Sequence, residues 1–295
     1  MTVDTAVELR RLDRAAVQPF LRQLSAWLLP GAFYGVQHTW PQLYRSDGDG
    51  RFLALFAGER LVSHCAYRLV ALRTAAGVRR IALLGSVATD PLERGRGHAS
   101  RLLRCALADC RDGGASAALL WAERPELYAR QGFAAGGDED CLLLQLPPEP
   151  DVDGARPAAI ADHEAMWALH RQKPLGVERD RKTMSGLLTT PGMSTFVRER
   201  GGRIVAYACC GKGADLQNWW HEVGGSDADV AALLPAAMAR LGQAAAFALV
   251  PPYRTRLADA LGALCTDRAR VAGPMQATLD ALPPTPVWID GLDSV

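Results

Sequence analysis

The stretch "VATDPLERGRGHASRLL", residues 87–103, constrains the chain most. A short apolar run leads into two glycines set among arginines. An amphipathic run follows, with Ala99, Leu102, Leu103, Ala106, Leu107 and Cys110 on one helical face. A strand, a glycine loop and a helix N-terminus in that order present unpaired backbone N–H groups to an anion, and a pyrophosphate is their natural ligand. Gly95 and Gly97 remove Cβ atoms, so oxygens can approach the backbone. Arg94 and Arg96 add positive charge locally.

Three other readings compete. A general basic patch is disfavoured by a formal net charge of +1 over 295 residues, which also disfavours nucleic acid as a partner. A Walker A loop needs Gly-Lys-Ser/Thr, which is absent. A dinucleotide fold places its glycines directly after a first strand, whereas "TDPLER" intervenes here and several strands precede it. A solvated turn capping a helix stays open on the glycines alone.

Hydrophobic residues are 49% and charged residues 22%, the balance of a soluble globular protein. Cys65, Cys105, Cys110, Cys141, Cys209, Cys210 and Cys265 lack Cys-x-x-Cys spacing, so reduced thiols are expected, with neither disulfide framework nor metal site. The charged N-terminus and the lack of a long apolar run point to a cytoplasmic protein without membrane contact.

Pro, Asp and Gly cluster in "QLPPEPDVDGARP", which suggests a first domain at 1–146, a linker at 147–156 and a second domain at 157–295. The first part reads as β-α-β-β-β-α-β-α-β, with "AGER" as a hairpin turn and "CLLLQL" as its closing strand. The second part echoes this order. A helix near 159–171 precedes a polar stretch, then the hairpin "STFVRERGGRIVAYACCG" and the strand "LQNWWHEVGG". The helix "SDADVAALLPAAMARLG" follows with a possible kink at Pro235, and then the buried strand "AAAFALV". Two copies of one supersecondary plan are expected.

Arg94-x-x-Gly97-x-Ala99 after "SVATDP" resembles the Gln/Arg-x-x-Gly-x-Gly/Ala signature of the GNAT acetyltransferase superfamily. "LYARQGF", residues 127–133, resembles that family's Tyr-x-x-x-Gly-Phe element after the fifth strand. The resemblance covers the first half. It implies a mixed, mostly antiparallel α/β sheet with flanking helices, the acyl-CoA N-acyltransferase fold, duplicated in this chain. It also implies acetyl-CoA as co-substrate and an amine-bearing acceptor.

Residue by residue, the resemblance puts the pyrophosphate on the segment Arg94, Gly95, Arg96, Gly97, His98, Ala99 and Ser100. It pairs the pantetheine arm with the backbone of Ser86, Val87 and Ala88, and makes Tyr128 the proton donor to the departing thiolate. "WAERPELY" is shorter than the family's usual loop and has no Asn. The fourth strand carries no acid, so Glu123 is the candidate general base, with His64 as another candidate.

At the matching place in the second half, Asp227 and Asp229 would repel a pyrophosphate, so one acetyl-CoA site per chain is expected. In "GKGADLQNWWHEVGG", Trp219, Trp220, His221 and Glu222 are candidates to meet the acceptor. Strand alternation would put Trp220 and Glu222 on a shared face suited to a cationic amine. Trp288 and Ile289 are expected to dock the tail between the halves. The terminal carboxylate of Val295 is a further active-site candidate, because some two-domain members of the superfamily use theirs. A non-catalytic acyl-CoA-binding protein and an O-acyltransferase remain the rival readings.

Overall fold

The computed structural model describes residues 6–45, 47–149, 153, 155–281 and 287–295, so part of the expected linker lies outside the described residues. Strands β1 (Val7–Leu12), β2 (Arg51–Ala57), β3 (Arg60–Thr74) and β4 (Gly77–Thr89) pair antiparallel in succession. Gly58, at φ +61°, turns the chain between β2 and β3, where "AGER" predicts a hairpin. The helix His98–Asp112 then carries the chain to β5 (Ala117–Leu120), which lies parallel to β4. Its buried face holds Leu102, Leu103, Ala106, Leu107 and Cys110, as the spacing predicts, with Ala99 half-buried. Each leucine so placed contributes about 1.5–3 kcal/mol.

The remaining strands are β6 (Ala134–Ala135), β7 (Asp138–Gln145), β8 (Arg156–Pro157), β9 (Gly176–Val177), β10 (Ser194–Arg200), β11 (Arg203–Cys210), β12 (Trp219–Gly225), β13 (Ala245–Val250), β14 (Cys265–Ala272) and β15 (Met275–Thr278). The first sheet runs β1-β2-β3-β4-β5-β15-β6, with β9 beside β3; the second runs β8-β10-β11-β12-β13-β7-β14. Each has four antiparallel strands, one parallel pair and two more antiparallel strands. The fold is a duplicated, mostly antiparallel α/β arrangement with flanking helices.

The copies exchange a strand. "CLLLQL" belongs to β7, which does not close the first sheet: it lies between β13 and β14 of the second, with Cys141 opposite both Leu249 and Ala269. In return, β15 pairs with β5 of the first sheet, Thr278 opposite Ala117. Leu142 and Leu144 pack with Trp220 and Val230 in the second core. Apolar alternation reports that a strand is buried, not which sheet buries it. The division at 146 therefore divides the chain but not the sheets.

Two further differences concern the second half. The polar stretch contains the helix Arg181–Leu188, whose N-terminus is capped by Asp180 and whose Met184 and Leu187 point inward. Pro235 lies inside the helix Asp227–Arg240 and does not end it. All seven cysteines are free. Among the described residues no helix is long and apolar enough to cross a membrane.

Candidate active site

Strand β4 organises the site. Its parallel pairing with β5 is registered only at Ala82↔Ala118 and Leu83↔Leu119, after which β4 continues to Thr89 while β5 ends at Leu120. A split therefore opens along Gly85–Ala88. Within it, the β3–β4 register shifts between His64↔Ala88 and Ala66↔Gly85, so Ser86 and Val87 form a bulge opposite Cys65. Ser86 adopts φ +53°, an uncommon conformation for a non-glycine residue. Two buried side chains hold it there: Tyr44 shares a hydrogen bond with the Ser86 hydroxyl, and His64 Nδ1 lies 2.9 Å from its carbonyl. A carbonyl only accepts, so that nitrogen carries the proton.

Beyond β4 lies the glycine loop expected to cradle an anion. Gly95 and Gly97 both adopt φ +79°, and the space where their Cβ atoms would stand is open. Gly97 is the N-cap of the helix His98–Asp112, with no side chain capping that end and no acid in the first turn. The helical bonding starts with Arg101 N–H donating to the Gly97 carbonyl at 3.0 Å, so the N–H groups of His98, Ala99 and Ser100 have no helical acceptor. The nearby acid, Glu93, is paired with Arg60 and with Arg96 at 2.8 Å; Arg60 first, then Arg96 and His98, hold its carboxyl below the usual range. Arg96 thus neutralises Glu93, while Arg94, exposed, rests its Nε against the Thr89 carbonyl.

Tyr128 stands on the short helix Pro125–Ala129 that follows β5. Its carbonyl accepts from Gln131 N–H at 2.8 Å and Phe133 N–H at 3.2 Å, a reversal that needs Gly132 at φ +90°. This accounts for the Tyr-x-x-x-Gly-Phe spacing. The phenol packs edge-on against buried Phe133. Burial first, then the neighbouring Cys65 thiol and Glu123 carboxylate, pushes it up to about 12, so it keeps its proton at neutral pH. Glu123 itself is exposed on the loop after β5.

The C-terminus reaches the same strand. A Cβ on Gly85 would overlap the terminal carboxyl carbon of Val295 and stand 2.6 Å from its oxygen, so only glycine lets the terminus lie there. Trp288 and Ile289 are buried, as expected for a docked tail. Composition gave no signal for Gly85, Tyr44, Arg179 or Asp293; their roles depend on contacts with distant segments.

The second-half candidates are placed differently. The β11–β12 register shifts between Cys209↔Glu222 and Cys210↔Trp220, leaving His221 in a bulge. The bulge breaks the alternation, so Trp220 and Glu222 do not share a face. Trp220 enters the core with Val223 and Phe196, its indole N–H donating to Gln243. Glu222 turns toward Tyr207, whose hydroxyl donates to it at 2.7 Å, and toward the Arg179 guanidinium, which donates twice at 2.8 Å. Burial opposes its ionisation, yet Arg179 and then Lys173 hold its carboxyl well below the usual range. His221 is buried with Nε2 on the Gly211 carbonyl, and half-buried Trp219 stacks on Phe247 at 4.9 Å. This burial does not fit an acceptor-facing role for Trp220, His221 and Glu222.

His170, Glu222 and Asp290 bring ligand atoms within 4.8 Å of one another, the spacing of a metal site. Lys173 Nζ, 2.8 Å from Asp290, and the Arg179 pair already supply cations there. At the helix Asp227–Arg240, Ser226 caps the N-terminus and two aspartates fill the first turn, unlike the open end at Gly97. Two cavities lie away from the cradle, one of about 600 Å³ beside Arg11, Tyr67 and Asp109, the other of about 300 Å³ beside Gln42, Arg68 and Leu187.

No curated protein matches the chain in sequence. Solved structures share its fold. A conserved protein of unknown function from Enterococcus faecalis V583 has a TM-score of 0.74 at 13% identity, covering 93% of this chain and 73% of that one. A GCN5-related N-acetyltransferase from Kribbella flavida has a TM-score of 0.64 at 18% identity over 94% of this chain and 73% of its own. Eis1 from Mycobacterium abscessus has a TM-score of 0.58 at 15% identity over 93% of this chain and 74% of its own. Residues 8–136 match the family described as acetyltransferase (GNAT) domain. The segment that carries the split, the glycine loop and Tyr128 thus lies within the part of the chain that matches the GNAT acetyltransferase domain.

Proposed function

We propose that the protein transfers an acetyl group from acetyl-CoA directly to an amine, at one site per chain in the first half. The observation that carries this reading is the succession along one stretch of chain: β4 supplies the bulge at Ser86 and Val87, and the loop after Thr89 leads into an acid-free helix N-terminus at Gly97. The N–H groups from Gly95 to Ser100 bind the pyrophosphate, and the backbone of Ser86, Val87 and Ala88 pairs with the pantetheine arm. The amine attacks the thioester carbonyl, and backbone N–H groups at the bulge stabilise the developing oxyanion. Tyr128 then donates its proton to the departing thiolate.

The amine's proton goes to Glu123, directly or through water; the influence of its charge on the Tyr128 phenol supports this assignment.

Acetyl-CoA binding by calorimetry and thiol release across an amine panel test the proposal. Binding and turnover are expected, with binding weakened at least about tenfold in Gly97→Glu, since a carboxylate at a helix N-terminus repels the anion. Binding without turnover on any amine or alcohol would favour a regulatory acyl-CoA-binding protein; turnover on alcohols alone would favour an O-acyltransferase.

A further inference from the structure

The cavity of about 300 Å³ lies where the two halves meet, walled by Pro41, Gln42 and Arg68 from the first and by Lys182, Gly186 and Leu187 from the second. Two of these side chains are buried and incompletely bonded. Arg68, 5% exposed on β3, donates from Nε and Nη2 to Asp49 at 2.8 and 3.2 Å. Its Nη1 has no hydrogen-bond partner among the described residues. Gln42, 6% exposed, donates from Nε2 to the Leu292 carbonyl, which fixes its amide orientation, and its Oε1 likewise has no partner.

A free donor and a free acceptor thus line one cavity without bonding each other. Buried polar groups left unpaired are costly, so the site calls for an occupant that accepts from Arg68 and donates to Gln42. One water, at about 30 Å³, would make both bonds and leave most of the volume unfilled.

The surrounding charges decide the kind of occupant. Asp49 holds two edges of the Arg68 guanidinium, and Asp293 stands 3.7 Å from Nη1, too far for a hydrogen bond but close enough to balance charge. Arg45 pairs with Asp47 at 3.1 Å, and Asp180 stands beside Lys182. The three basic groups lining the cavity are therefore matched by three acids. A phosphate or a bare ammonium would leave one sign uncompensated. A primary carboxamide is neutral and carries both functions on one carbon: its oxygen accepts from Nη1 and its nitrogen donates to Oε1. Pro41 and Leu187 offer apolar surface to the rest of the molecule.

We infer that this junction cavity binds a small molecule without net charge that carries a primary carboxamide, held by Arg68 Nη1 and Gln42 Oε1. The site stands whether or not the chain transfers acetyl groups. Because both halves wall it, its ligand ties them together.

Nicotinamide and L-glutamine, each beside its acid, nicotinate and L-glutamate, test this on the full chain by calorimetry and melting temperature. At least one amide should bind and raise the melting temperature. Its acid should bind about tenfold more weakly, since an ionised carboxylate gives Gln42 Oε1 no donor. Arg68→Lys keeps the charge beside Asp49 and removes Nη1, so amide affinity should fall about tenfold. Gly186→Leu leaves the buried ion pair alone and serves if Arg68→Lys does not fold. A Cβ on Gly186 would have the Arg45 guanidinium nitrogens as its nearest neighbours, at 3.8 and 3.9 Å, and leucine favours the helix Arg181–Leu188. Its side chain fills the cavity and should abolish binding. The assignment is overturned if neither amide binds, if an acid binds as tightly as its amide, or if either variant keeps full affinity.

Discussion

His64 Nδ1 donates to the carbonyl of Ser86 at 2.9 Å, from a ring fully buried beneath the bulged strand. That bond gives His64 a structural task, and burial pushes its pKa down to about 4, so the ring is neutral at the pH of the reaction. The unfolded chain binds its proton near 6.5 and the folded chain resists it, so stability is present above 6.5 and is lost as pH falls toward 4. The loss approaches about 3 kcal/mol. Urea melts at pH 7 and 4.5 should show that loss in the wild type and a smaller one in His64→Asn.

Glu139 carries the opposite sign. It is buried near the end of β5, accepts a hydrogen bond from Trp121, and burial raises its pKa to about 7. The folded state therefore binds the proton more tightly than the unfolded chain, and stability falls as pH rises from about 4.5 through 7. Glu139→Gln should raise the melting temperature at pH 8 and leave it nearly unchanged at pH 4.5. An equal shift at both pH values would exclude titration as the cause.

Tyr128→Phe removes the hydroxyl and little else, because the ring keeps its edge contact with Phe133. Turnover should drop about a hundredfold, the usual worth of a positioned proton donor, at constant acetyl-CoA Kd. With the phenol pushed up to about 12, the wild-type rate should show no alkaline loss from this group near pH 10. A pH–rate profile to pH 10.5 checks this.

Gly85→Ala places a methyl group on the Val295 carboxyl. Turnover should fall while the cradle, built from Gly95 onward, still binds acetyl-CoA. Calorimetry beside steady-state kinetics separates the two effects.

The parts of the site legible in the sequence are those whose constraints are local. Gly95 and Gly97 take left-handed conformations that their spacing announces, and Gly132 lets the Tyr128 carbonyl accept two N–H groups within six residues. Gly85 carried no such signal: its own φ demands nothing, and its need for hydrogen at Cα comes from a terminus 210 residues away. The reading of Trp220 and Glu222 as face-sharing failed through one inserted residue, His221, since a bulge reverses everything beyond it. The strand at Asp138–Gln145 was legible as a strand; its partner was not.

That exchanged strand also sets the order in which the protein can be completed. β5 ends at Leu120, and the strand that pairs with its outer edge begins at Met275, 155 residues later. At a synthesis rate of about 5–20 residues per second, that edge waits roughly eight to thirty seconds on the ribosome. A nascent chain stalled before Met275 would hold a complete glycine loop beside an open, aggregation-prone edge, so chaperone capture should peak in the interval between the two strands.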